Sequence, residues 1–292
     1  MNAKVLAAIV LIALALASVE QALGQEEEEK KLGWSNVADL GFVLTGGNSN
    51  TSTFTFDDKL ARTWENATLQ FQLSGLRTNT TDDRFAVVAG PEEFTVVEDL
   101  SRELDTERWN ANGSYRRDVN KKLYWIAGIG WLRDLNAGIE HQTAVYGGLG
   151  NTWWDRENSR FLTDYAIAYT NREEEIEDPL LDGRFPAFRV SLHYMKQFGS
   201  NNQYDNDFTI LPNLKDLEDY QFDWTNSLTS NLTKLLALRV SLQLLYRNIP
   251  GLEELDLFAI PPSEGPSLPI GTVPVRRKKL DTLFKVTLVV TL

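Results

Sequence analysis

From Trp34 to the end of the chain, apolar residues recur at every second position. Ala38, Leu40, Phe42 and Leu44 alternate with Val37, Asp39, Gly41 and Val43, and Ala67, Leu69, Phe71 and Leu73 alternate with Thr68, Gln70, Gln72 and Ser74. The pattern is cleanest near the C-terminus. There Leu236, Leu238, Val240, Leu242, Leu244 and Tyr246 interleave with Ala237, Arg239, Ser241, Gln243 and Arg247, and Leu280, Phe284, Val286, Leu288 and Val290 with Asp281, Lys285, Thr287 and Thr291. Successive side chains of a strand point to opposite faces, so each segment has one apolar and one polar side. The spacing predicts strands at 34–45, 51–63, 66–78, 105–117, 122–133, 138–153, 158–170, 185–198, 203–211, 217–229, 234–248 and 279–291. Their connections sort by length: 63–66, 118–121, 155–158, 199–202 and 231–234 are tight, whereas 79–104, 171–184 and 249–278 are long. Tight turns at one rim and long loops at the other predict an all-β fold. It is a closed antiparallel up-and-down transmembrane barrel of about 12 strands.

Two segments strain this pattern. Asp57 and Asp58 put a carboxylate on each face of one strand, which predicts a bulge there or a tall barrel, because a charge facing lipid at mid-depth is costly. In 122–133, Trp125, Ile126, Ile129 and Leu132 make both faces apolar and leave the orientation of that strand open.

Composition sharpens the picture. The 292 residues carry 41 acidic and 29 basic side chains, a net charge of −12. That charge repels phosphates and excludes a nucleic-acid partner. The absence of cysteine excludes disulfides and thiolate metal sites. The first residues have the order of a signal peptide: Lys4, an apolar run from Val5 to Ala17, then Ala22-Leu23-Gly24 with small residues at the −3 and −1 positions of a cleavage site. The apolar run is shorter than the roughly 20 residues that span a bilayer. The expected organisation is a signal peptide at 1–24, a charged leader at 25–33 and the barrel at 34–292. The barrel is expected in the outer membrane of a Gram-negative-type bacterium. Its expected partners are outer-membrane lipid, lipopolysaccharide and the barrel-assembly machinery, with further protein partners unspecified.

Several short motifs then stand out in order. They are Gly46-Gly-Asn-Ser-Asn50, Trp131-Leu-Arg-Asp-Leu-Asn-Ala-Gly138, Tyr146-Gly-Gly-Leu-Gly150, Tyr165-Ala-Ile-Ala-Tyr169 with Asn171-Arg-Glu173, and Tyr246-Arg-Asn-Ile-Pro250 before Lys279-Leu-Asp-Thr282. Over residues 34–292 the chain resembles the salt-induced outer membrane protein family, a domain of unknown function. The resemblance implies an outer-membrane barrel and no agreed activity. The insert between Pro250 and Lys279, with its five further prolines, is longer than the resemblance implies. The terminal Leu292 also departs from it, because barrel-assembly signals usually end in an aromatic residue.

Chemistry has few candidates. His193 lies on a polar face with Arg189 and Ser191 and reads as a solvated lumen residue. His141 and Thr143 form an outward His-x-Thr pair, in the place where outer-membrane phospholipases carry His-x-Ser. A histidine can activate a hydroxyl, but threonine is β-branched and no third orienting group is evident. The run Glu173–Asp178 with Asp182 offers carboxylate oxygens without the spacing of a calcium loop, so it reads as a solvated acidic loop. No catalytic, metal or cofactor site is therefore expected. The polar face is the candidate functional surface, with Lys59, Arg108, Arg116, Glu140, Arg189, Asp223, Arg239, Asp281 and Lys285 expected to line the lumen. Arg239 is expected to pair with Asp223 and Asp281. The leading expectation is a non-enzymatic narrow pore or structural envelope component. A lipid hydrolase using His141 and Thr143 and a soluble periplasmic ligand-binding barrel are the alternatives.

Overall fold

The computed structural model describes residues 32–46, 52–90, 93–259 and 268–291. The expected signal peptide, most of the leader, the turn at 47–51 and Leu292 lie outside the described residues. The strands are β1 (Gly33–Gly46), β2 (Ser52–Thr63), β3 (Ala67–Gly90), β4 (Glu93–Asp118), β5 (Leu123–Asp134), β6 (Ile139–Arg156) and β7 (Ser159–Glu174). They continue with β8 (Arg184–Phe198), β9 (Asn202–Pro212), β10 (Tyr220–Asn231), β11 (Leu236–Arg247), β12 (Leu252–Phe258), β13 (Gly271–Arg276) and β14 (Leu280–Thr291). From β1 to β11 each pairs antiparallel with the next. β11 then pairs with β14, and β14 pairs back with β1. All strands but β12 and β13 thus close one twelve-stranded ring with no open edge.

The strands cross at a steep tilt. The pairing row that begins at Asp39, midway along β1, runs through Asp57, Ser74, Asn110, Leu132 and Gln142. It reaches Arg172 near the far end of β7 only half-way round the ring. Such stagger is what closure of a barrel requires.

Alternation holds around the ring. Leu40, Phe71, Leu73, Ile129, Val145, Leu149, Ile167, Leu228, Leu238, Leu242 and Leu288 are exposed on the outside, a continuous apolar surface of the kind that faces acyl chains. Trp34, Trp64, Trp125 and Trp153 stand exposed near the short-turn rim, and the Arg62 guanidinium lies 5.2 Å from the rings of both Trp34 and Trp64. Aromatic girdles of this kind sit at the headgroup level. In β5, Trp125 and Ile129 point outward while Tyr124, Ile126 and Leu132 line the interior.

Two expectations need correction, and a third is narrowed. Residues 79–104 are not a loop. β3 and β4 run on past the ring as a paired arm, driven by the β-branched and aromatic stretches Phe85–Val88 and Phe94–Val97. The long insert 249–278 likewise holds a hairpin, β12–β13, and β12 joins the arm in parallel at Leu257–Ala86 and Phe258–Val87. Of the two arrangements expected at Asp57–Asp58, a bulge or a tall barrel, the bulge is not the one used: β2 pairs there without a register shift. Asp58 faces outward and accepts a 2.7 Å hydrogen bond from the Asn36 amide of β1, five residues from the short-turn end of β2.

Candidate functional site

Inward positions of all twelve ring strands enclose one cavity of about 1000 Å³. It extends from Ser35, Ala61 and Thr68 near the short turns to Asp281, Lys278 and Pro250 near the long loops. Of the charged residues expected inside, Lys59, Arg108, Arg116, Arg189, Asp223, Arg239, Asp281 and Lys285 line it. Glu140 is placed elsewhere. A bulge between Ile139 and His141 takes it out of the alternation, and its carboxylate binds Arg133, whose Nε also donates 2.5 Å to Glu107.

Mid-lumen charge is held in two ways. Arg239 pairs with Asp39, not with Asp223 or Asp281. The register explains this: both of those aspartates lie opposite Leu245, six residues along β11. Arg239 faces Thr229 and Thr287, and its guanidinium bonds the Thr229 hydroxyl at 3.0 Å and passes the short Thr287 to reach β1. Other carboxylates are clasped by neutral amides. Gln72 donates to both oxygens of Asp57 at 3.1 and 3.0 Å, Gln203 to both of Asp205 at 2.9 Å, and Gln243 to Asp223 at 2.7 Å. Lys285 in turn donates 2.7 Å to the Gln243 carbonyl. His193 pairs with Asp207 in the lumen, beside a 2.8 Å hydroxyl contact between Ser191 and Thr209.

Above this zone the wall changes character, which the polar-face reading did not anticipate. Leu76, Leu132, Ala144, Ala168, Leu211, Leu245 and Leu283 line the cavity on its long-loop side. Leu76, Leu283 and Leu245 pack together, and Tyr146, Ala168, Phe185 and Leu211 form a second cluster. One aliphatic residue in an otherwise polar register looks like noise in any single strand. Closure stacks them into a collar. Arg108 interrupts it, bound to Asp134 and 3.9 Å from Asp223 on the opposite side of the ring.

The insert then crosses the long-loop mouth. It leaves β11 and returns to β14, yet it contacts the β5–β6 turn, the β7–β8 loop and the β3–β4 arm. Gly251 meets Gly138 backbone to backbone. A Cβ on Gly138, which has φ +74°, would stand 3.1 Å from the Gly251 Cα, so any side chain there would push the insert away. Arg277 donates 2.7 Å to Glu175, Arg276 binds Asp178 and the Pro250 carbonyl, and Arg84 of the arm binds Glu253 at 2.6 Å. Phe85 and Phe258 meet edge-on at 5.6 Å. Below lies a buried chain of charges. Asp219 takes two hydrogen bonds from Arg172, Arg172 reaches Glu174 at 2.8 Å, and Glu174 binds both terminal nitrogens of Arg247. Each of these groups would be costly alone, and together they cancel.

His141 and Thr143 sit on the outer face. The His141 ring lies 5.9 Å from Trp131, and its Nε2 is 3.9 Å from Glu140. No hydrogen bond joins the two residues among the described ones. Glu175 and Asp178 of the acidic run bind arginines of the insert. No group of metal-ligating side chains forms among the described residues.

The model of a family described as a protein of unknown function, DUF481, matches residues 38–255. No curated protein matches the sequence. Among solved structures, the NanC porin aligns over 87% of this chain and all of its own, with 10% identity and a TM-score of 0.51. An anion-selective porin from Comamonas acidovorans aligns over 89% and 98% with 9% identity and a TM-score of 0.42. The CymD monoaromatic hydrocarbon channel aligns over 90% and 89% with 8% identity and a TM-score of 0.39. The NanC likeness shows a shared barrel fold.

Proposed function

The chain belongs to the DUF481 family, and from that premise we propose that it is a non-enzymatic outer-membrane barrel giving a narrow, lidded passage to small solutes. The observation that carries this reading is a cavity running the length of a barrel whose outside is apolar. Barrels of about 8 strands are filled by side chains and those of 16–18 leave open water. A ring of twelve with about 1000 Å³ of interior lies between. In this reading the long-loop mouth faces the cell exterior, the tight turns face the periplasm, and lipid with lipopolysaccharide surrounds the apolar belt. The charged lumen wall sets ion preference, and the insert restricts entry from outside.

The test is current across planar bilayers. Wild-type protein and a variant with residues 252–276 replaced by a short glycine–serine linker are purified in detergent and compared. The variant is expected to conduct more than the wild type. A folded variant that carries no current rejects the passage. Recovery of the wild type in an osmotic-shock fraction without detergent would reject membrane residence.

A further inference from the structure

We propose that the lumen holds a binding site for an organic carboxylate with an apolar body, centred on Arg189. The inference deepens the reading of the lumen as a solute passage and rests on it. Among the described residues, every other arginine lining the cavity has a carboxylate partner: Arg108 with Asp134, Arg116 with Asp118, Arg160 with Asp155, Arg239 with Asp39 and Arg247 with Glu174. Arg189 has none, and its Nη1 is buried without a hydrogen-bond partner. A guanidinium on the cavity wall with no carboxylate beside it leaves its charge for a bound acceptor to neutralise.

The guanidinium is also held in place. Its Cζ lies 4.6 Å from the centre of the Tyr146 ring, a cation–π contact that anchors the guanidinium. The ring itself lies flat because residue 128 is glycine: a Cβ there would come within 2.5 Å of the Tyr146 hydroxyl. Around this platform the wall is small and apolar. Ala166 lies directly opposite Arg189 in the sheet, and Ala144, Ala168 and Leu211 line the cavity. The result is a bay with one fixed cation beside an apolar floor that is itself part of the collar. An inorganic anion would satisfy the cation and leave the floor wet. A hydrocarbon would cover the floor and leave the cation unpaired. A carboxylate on an aliphatic or aromatic body does both.

Isothermal titration of the detergent-purified full chain tests this with benzoate, its neutral isostere benzamide, and acetate. Benzoate is expected to bind about tenfold or more tightly than either of the others, the factor that one charge-assisted hydrogen bond supplies. Arg189→Gln is expected to lose that preference, Arg189→Lys to keep part of it, and Arg62→Gln, on the outer face, to leave it intact. Equal binding of benzamide would overturn the role of the charge, and equal binding of acetate that of the apolar floor. Absence of benzoate binding, or full binding by folded Arg189→Gln, would overturn the site. The wild-type comparisons need no variant to fold. Arg189-dependent binding without bilayer current in either protein would reject the passage and keep the site, whereas current without such binding would do the reverse.

Discussion

The mouth and the mid-lumen both carry charged side chains but hold most of their carboxylates differently: arginines pair them at the mouth, and glutamine amides hold several in the mid-lumen beside the one Arg239–Asp39 pair. At the mouth the side chains of Arg172 and Asp219 are each 2% exposed, and Glu174 is shared between Arg172 and Arg247. In the mid-lumen His193 and Asp207 are 37% and 56% exposed, and Asp57, Asp205 and Asp223 are clasped by glutamine amides. An amide fills a carboxylate's lone pairs without cancelling its charge. The lumen therefore keeps fixed charge facing the cavity, while the mouth neutralises charge out of water, where it fastens the insert. The apolar collar separates the two regimes.

Perturbations should fall in order of burial. The largest effect is expected at the mouth. Arg172→Ala strands Asp219 and half of Glu174 and should cost about 3–5 kcal/mol, read as a lowered unfolding midpoint in detergent; a shift under about 1 kcal/mol would mean that the mouth is wet. Next comes the outer belt. Leu242→Arg should cost about 2–4 kcal/mol if it lies near the bilayer midplane, measured by reversible unfolding from lipid vesicles. The adjacent Ser241→Arg points into the cavity and loses a 2.9 Å contact with Ser227, so about 1 kcal/mol is expected; equal costs would reverse inside and outside. Arg239→Ala is intermediate, because Asp39 is largely buried while Arg239 is a quarter exposed. About 2 kcal/mol is expected, between the exposed and buried limits, together with a shift toward cation preference in reversal potential. The smallest effect belongs to the exposed pair: His193→Gln should change stability by under about 1 kcal/mol.

Much of the ring was legible in the sequence because each strand has an apolar outer face and a largely polar inner one, and period two records that directly. The ring strands predicted around Leu40, Leu242 and Leu288 appear with those residues outward. What escaped depends on closure. Arg239 and Asp39 are 200 residues apart, Arg277 and Glu175 102, Arg247 and Glu174 73, and no local pattern joins them. The insert looked like a proline-rich loop because β12 and β13 are only seven and six residues long. One signal was present. Asp134, Gly138, Arg172, Arg247 and Pro250, all within the motifs that carried the family resemblance, converge on the mouth. Those motifs were legible as names before their shared location was.

The claim that the mouth is a fastener is tested most directly by charge exchange at Arg276 and Asp178, a one-to-one pair joining the insert to the β7–β8 loop. Single-channel current is compared among wild type, Arg276→Asp, Asp178→Arg and the double exchange. The natural chain has no cysteine, so a single cysteine placed on the insert can report its exposure to a water-soluble thiol reagent in the same samples. Each single reversal is expected to raise both current and labelling, and the double exchange to bring both back toward wild type. Equal current and labelling in all four proteins, each folded, would contradict the account.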